Sequence, residues 1–251
     1  MKVVAIIPAR LASARFPNKP LVKIHGHSMI EHVYRRAECA ALVDEIYIAT
    51  CDEEIAVETK RFGGKVIMTS SSHSRGTDRV AEAAEKVEGD LIFNIQGDEP
   101  LIDPDSIDES IALMKNNGFP CLNWITPIND REAFLSKNIV KAVIDKNKRI
   151  LYFSRQPIPS SREGGPNCAY KQLGAYLFRK DFLLQYAKWP ERPLEQAEKV
   201  DMLRILEYGF AIEAFITKDL VGVDIPENLS LVERLLLKDP LHTSLFKAGC
   251  R

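Results

Sequence analysis

The chain has 251 residues, 45% of them hydrophobic and 27% charged, with a formal net charge of −1. That length carries one large domain or two small ones. The near-neutral balance, without a long basic run, argues against a broad nucleic-acid surface, and no apolar stretch approaches the ~20 residues of a membrane span. Five cysteines (Cys39, Cys51, Cys121, Cys168, Cys250) are scattered and form no CxxC pair. They read as reduced thiols of a cytoplasmic protein, not as a disulfide frame or a zinc site.

The opening KVVAIIPA lacks a positive leader and a small-residue cleavage site, so it reads as a first strand and not as a signal peptide. Further strands are predicted at DEIYIAT (44–50), KVIMTS (65–70) and DLIFNIQ (90–96), with helices at 28–41, 52–63, 77–88 and 105–117. Nearly continuous apolar strands separated by helices of this size predict βαβ units and a mostly parallel sheet covered on both faces. From 121 onward the strands crowd together: CLNWITPI, IVKAVIDKNKRILYFSR and YKQLGAYLFR. DKNK (145–148) sits between two apolar runs as a hairpin turn would. A helix over about 193–208, a strand AIEAFIT (211–217) and a last helix (226–237) follow, leaving 238–251 as a loosely attached tail. One α/β domain is expected. Its core is 1–118 with 193–237, and 119–192 is a mixed, partly antiparallel insertion.

The loop after the first strand, PARLASARFPNKPL (8–21), carries Arg10, Arg15 and Lys19 around the small residues Ala12, Ser13 and Ala14. A loop beyond a strand's carboxyl end is where α/β folds bind ligands, and guanidinium forks match phosphate oxygens. Charge alone leaves a polyphosphate site and a solvated basic loop both open. Neither GxxxxGK[ST] nor GxGxxG occurs, which excludes a P-loop and a dinucleotide fingerprint. Asp98 and Glu99 of NIQGDEP stand where an apolar strand runs out; taken alone, Asp98 suits a turn or helix cap as well as a ligand. His73 taken alone reads as a surface histidine.

The spacing PAR-x-x-S-x-R-x-P-x-K-P-L resembles the signature of the sugar nucleotidyltransferases, in particular the cytidylyltransferases that make CMP-activated 3-deoxy-manno-octulosonate (Kdo). The resemblance continues in order through HxxGTDR (73–79), NIQGDEPLI (94–102), VK-x-V-x-D (140–145), LYFSR-x-P-IP (151–159), LGAYLFR (173–179), EQAE-x-x-x-LR-x-LE-x-G (195–209) and GVDIPENL (222–229). It implies a Rossmann-like, GT-A-like three-layer fold and a homodimer paired through the mixed sheet. Tyr152, Phe153 and Trp124 are compatible with that pairing, although aromatic strands are more often core. It also implies transfer of CMP from CTP to the anomeric hydroxyl of an acidic sugar, with release of pyrophosphate. Asp98 and Asp224 would hold Mg²⁺, a hard ion that takes one or two carboxylates plus phosphates and waters; Glu99 would be secondary, a structural hydrogen-bond partner. Arg10, Arg15 and Lys19 would hold the triphosphate, and Ser13, His73, Gly76, Thr77, Asp78, Arg79 and Gln96 would meet the nucleotide. Thr77 and Asp78 suit plain N-caps equally well.

On the acceptor side the resemblance implies Gln96, Arg155, Gln172, Tyr176, Glu198, Asp201 and Met202, with Arg155 the natural partner of a carboxylate. Here the chain departs from the family. Gln172 replaces a histidine, Asp201 and Met202 replace glutamate and glutamine, Asn18 replaces a glycine, and His27-Ser28 replaces Lys-Pro. A thioether in place of an amide removes a donor and an acceptor. Two readings stand: a pocket repacked around Kdo, or a changed acceptor such as an 8-amino variant, another 2-keto sugar acid or a phosphonate. A non-catalytic nucleotide-binding relative is the alternative from another class. Retention of Arg10, Arg15, Lys19, Asp98 and Asp224 speaks against it.

Overall fold

The computed structural model describes residues 1–12, 16–160, 165–166 and 168–246. The elements run β1 (Val3–Ala9), a small hairpin β2 (Lys23–Ile24) and β3 (His27–Ser28), α1 (Met29–Glu38), β4 (Glu45–Thr50), α2 (Glu53–Arg61), β5 (Val66–Met68), α3 (Gly76–Glu85), β6 (Leu91–Ile95) and α4 (Pro104–Asn117). The second half adds β7 (Cys121–Pro127), α5 (Arg131–Leu135), β8 (Lys141–Ile144), β9 (Ile150–Ser154), β10 (Tyr170–Arg179), α6 (Lys180–Tyr186), α7 (Pro193–Glu198), α8 (Met202–Glu207), β11 (Glu213–Ile216), α9 (Leu229–Lys238) and α10 (Pro240–Leu245).

The central sheet has the order β11-β7-β10-β6-β1-β4-β5. β1 pairs in parallel with β4 and β6, and β4 pairs in parallel with β5. β10 enters antiparallel between β6 and β7 and carries the β8–β9 hairpin off the sheet. Every residue of β1 and β6 is buried, the burial that an apolar run covered on both faces requires. Alternate side chains feed two cores. Val3, Ala5 and Ile7 pack with α1 and α4, whereas Val4 and Ile6 pack with α3, α6 and α8. The expected mostly parallel α/β sheet with an antiparallel insertion is observed. Trp124 and Phe153 are fully buried within it, as core.

Three expectations are corrected. The helix expected over 193–208 is two helices, broken at Lys199, which has φ of 56°. In one straight helix Glu195 and Arg204 would sit about 13 Å apart along the axis. The break folds them together instead, so that Arg204 Nε and Nη2 donate to the Glu195 carboxylate at 2.7 Å each, both side chains buried. The tail is not loose as far as it is described, because Pro240–Leu245 forms α10 with Leu245 buried. The cysteines are not all reduced: Cys39 is disulfide-bonded, while Cys51, Cys121 and Cys168 are free.

The docked end of the chain packs on histidines. His32 on α1 is fully buried, its Nε2 set 2.8 Å from the carbonyl of Ile24. Its ring stacks on His242 of α10 at 5.5 Å and meets Phe246 edge-on at 4.9 Å. Burial, reinforced by His242, His27 and Arg36 and opposed by the Ile24 carbonyl, holds His32 down to about 4. A lowered histidine contributes stability that is full above its unfolded value near 6.5 and is lost as the pH falls through about 4. Denaturant unfolding is therefore expected to show a stability loss between pH 7 and 4 that is smaller by on the order of 2–3 kcal/mol in a His32→Asn variant.

Candidate active site

The carboxyl ends of β1 and β6 lie side by side, and a cavity of about 360 Å³ opens there. β1 brings Pro8, Ala9 and Arg10 to its wall; the chain after β6 brings Gln96, Gly97 and Asp98; and the lead into α3 brings His73, Arg75, Gly76 and Arg79. This is the position at which open α/β sheets bind ligands. Lys19 and Pro20 close the cavity from the first loop. Lys19 opens a short 3-10 turn whose preceding residue, Asn18, has φ of 57° and ψ of 17°. The left-handed region favours glycine and tolerates asparagine, so the family glycine and this asparagine meet the same backbone demand.

The charges in the cavity are arranged. Lys19 Nζ lies 2.5 Å from Asp98 Oδ2, both half-buried. Arg10 is exposed, and its Nη1 reaches the carbonyl of His73 at 3.5 Å. His73 Nε2 is 2.6 Å from Glu82 Oε2. Arg79 is buried and donates to Thr69 Oγ1 and to the carbonyl of Ser70, which braces the strand-end loop. α3 starts against the sheet: a Cβ on Gly76 would come within 3.2 Å of Gln96 Oε1 and 3.4 Å of Pro8 Cγ. Its N-cap is Arg75, with no side-chain cap, so Thr77 and Asp78 lie inside the first turn and do not serve as caps. Backbone N–H groups of an uncapped first turn are donors for an anion. Ser13 and Arg15 lie outside the described residues.

Asp224 is exposed, on the segment after β11. The N–H of Val223 donates to the carbonyl of Asp98 at 2.9 Å, which carries Asp224 beside the β6 end. Among the described residues no group of three His, Cys, Asp or Glu side chains is placed to hold a metal ion. Asp98 and Asp224 lie on adjoining segments, and a divalent cation that completes its shell with phosphate oxygens and water needs only one or two carboxylates. Glu99, beside them, points into the protein. Its Oε1 accepts the N–H of Gly174 at 3.2 Å, and its buried Oε2 has no hydrogen-bond partner. Burial, and next to it the charge of Asp98, pushes this carboxyl up to about 8.

The acceptor-side residues are not gathered in this cavity, apart from Gln96. Gln96 Nε2 donates to Asn94 Oδ1, Asn94 Nδ2 to Thr77 Oγ1, and Thr77 Oγ1 to Asp201 Oδ2 at 2.9 Å. Gln172 donates to buried Asn123 at 2.8 Å, where β10 slips register against β7 just before Tyr176. Arg155 and Glu198 form a separate cluster, with the N–H of Arg155 donating to Glu198 Oε2 at 2.8 Å. Met202 is buried in the apolar core with Leu203 and Ile205. Sequence reasoning missed Arg75, although it lies inside the HxxGTDR run. It also missed the burial of Glu99, for which no local signal exists.

A cation-lined cavity at strand ends with two acids beside it has the kinds of group that a metal-bound polyphosphate takes. The family model described as cytidylyltransferase matches residues 4–219. The chain belongs to the cytidylyltransferase family. It is a nucleotidyltransferase, and its relatives match it almost end to end. A 3-deoxy-manno-octulosonate cytidylyltransferase of Geobacter metallireducens is 45% identical over 249 residues, covering 94% of this chain and 98% of the relative. An 8-amino-3,8-dideoxy-manno-octulosonate cytidylyltransferase of Shewanella halifaxensis is 42% identical over 245 residues, covering 95% and 100%. Among solved structures, a CMP:2-keto-3-deoxy-manno-octonic acid synthetase complexed with CTP superposes with a TM-score of 0.89 at 38% identity, covering 95% of this cytidylyltransferase and 99% of that chain. A cytidylyltransferase from Leptospira borgpetersenii shares the fold at a TM-score of 0.67 and 16% identity.

Proposed function

We propose that this cytidylyltransferase transfers CMP from CTP to the anomeric hydroxyl of Kdo. The observation that carries the reading is the placing of Lys19 against Asp98 in one cavity at the ends of β1 and β6, with Arg10 on its wall. Arg10 and Lys19 hold the triphosphate, joined by Arg15 of the same loop, and the first turn of α3 offers backbone donors. Ser13, His73, Gly76, Thr77, Asp78 and Arg79 frame the nucleotide. Asp98 and Asp224 would hold Mg²⁺, which would supply Lewis-acid neutralisation of phosphate charge. In the reaction the hydroxyl oxygen bonds to the α-phosphorus, the bond from that phosphorus to the bridging oxygen breaks, and pyrophosphate leaves with the electron pair; the hydroxyl proton passes to solvent. The chain's own contribution is positioning and fixed charge, as in other phosphoryl transfers.

Gln96, Gln172, Tyr176 and Asp201 form the floor of the acceptor side, and Arg155, held by Glu198, takes the acceptor's carboxylate. Met202 supports this floor from the core. The enzyme acts as a homodimer in the cytoplasm. The relative in Shewanella halifaxensis favours a second reading, the 8-amino form of the same sugar. Pyrophosphate release from CTP and Mg²⁺ with each acid separates them. Turnover on Kdo is expected; turnover on the 8-amino sugar alone selects the second reading, and release with neither overturns both.

A further inference from the structure

The VK-x-V-x-D stretch lies away from the cavity, yet its lysine is among the largest fully buried side chains described. Lys141 Nζ donates to three backbone carbonyls, those of Ser136 at 2.7 Å, Ile139 at 2.6 Å and Arg155 at 2.5 Å. An ammonium has three donors and no acceptor, so this cage saturates it. Among the described residues no carboxylate is part of this cage. Burial, then the charge of Arg155, with Glu198 opposing, brings the amine down to about 8. An apolar side chain of similar size would leave these three carbonyls without their donor. The lysine therefore fixes the geometry of the segments that carry these carbonyls as well as satisfying them.

The carbonyls belong to two separate pieces of chain, the turn after α5 and the end of β9. The same pieces frame one guanidinium. Arg155 Nη1 donates to the carbonyl of Lys137, inside the caged turn, at 3.1 Å. Its Nε donates to the carbonyl of Glu198 at 2.8 Å, and Ser154 Oγ donates to Glu198 Oε1 at 2.6 Å. Nε and Nη1 are thus engaged by backbone, and among the described residues Nη2 is left to meet a carboxylate.

We infer that Lys141 is a positioning residue for the acceptor acid. By tying the 136–139 turn to the end of β9, it fixes the carbonyls that aim the Arg155 guanidinium. The inference rests on the reading of Arg155 as the partner of the acceptor's carboxylate. It sets the acceptor's affinity and leaves the handling of CTP to the cavity at β1 and β6.

Steady-state pyrophosphate release, with CTP and Kdo varied in turn, tests this. Lys141→Met is expected to raise the KM for Kdo about ten- to hundredfold, the size of a lost charge-assisted hydrogen bond, with kcat and the KM for CTP nearly unchanged. Arg155→Ala is expected to raise the KM for Kdo by itself. The double variant is expected to be no worse than Arg155→Ala, because both changes act on one contact. Equal losses toward both substrates, or additive losses in the double variant, mean a merely structural lysine and overturn the inference. If Arg155→Ala leaves the KM for Kdo unchanged, the reading of Arg155 itself fails and takes the inference with it. Should Lys141→Met not fold, Lys141→Gln, which keeps an amide donor, is expected to show the same selective rise, and an unselective one overturns the inference.

Discussion

An Asp98→Asn variant is expected to lose on the order of 10²- to 10³-fold in CTP-dependent pyrophosphate release while keeping its fold. The substitution preserves size and removes one full negative charge. Asp98 is half-buried, its Oδ2 is 2.5 Å from Lys19 Nζ, and its backbone carbonyl anchors the segment carrying Asp224. That anchor is a main-chain contact and survives the change. What is lost is half of the proposed carboxylate pair for Mg²⁺ and the counter-charge of a lysine placed for phosphate. CTP binding is expected to weaken less than turnover, because Arg10 and the first turn of α3 remain. Steady-state kinetics with a thermal melt checks this, and a variant of full activity would refute the metal assignment.

Gly174→Ala is expected to cost on the order of 1–3 kcal/mol of stability and more than about tenfold in kcat. A Cβ there would lie 2.9 Å from Glu99 Oε1 and 3.0 Å from both Cβ and Cγ of Gln96. None of these can retreat easily. Gln96 is tied to the carbonyl of Gly174 through its backbone N–H and to Asn94 through its side chain. Glu99 is closed from the other side, where a Cβ on Gly222 would come within 3.3 Å of its Oε2. The Glu99 side chain is thus wedged between two glycines, one on β10 and one on the segment that carries Asp224. Pushing β10 away from β6 would move Gln96 and Asp98 together. The denaturant midpoint and kcat, measured on the same preparation, check both effects.

Much of the fold was legible along the chain. The apolar runs at 2–9, 44–50 and 90–96 are β1, β4 and β6, because a strand covered on both faces must be apolar throughout. DKNK at 145–148 lies between β8 and β9, as turn chemistry anticipates. Where the reading failed, a distant partner had intervened. The break at Lys199 serves the Arg204–Glu195 pair, and the tail is docked through His32, His242 and Phe246, none of which leaves a local mark.

The candidate site divides in the same way. Arg10, Lys19, His73, Gly76, Arg79, Gln96 and Asp98 could be picked from motif order and do line one cavity. The sequence by itself determined which chemical groups are present, in what order, and on which strand ends. Only the tertiary structure decided what faces what. It set Lys19 against Asp98, 79 residues away, buried Glu99 and not Asp98, sent Met202 into the core and closed three carbonyls on Lys141. The physical reason is that side-chain period and turn residues act over a few positions, whereas burial, charge and hydrogen-bond partners depend on segments brought together by the sheet.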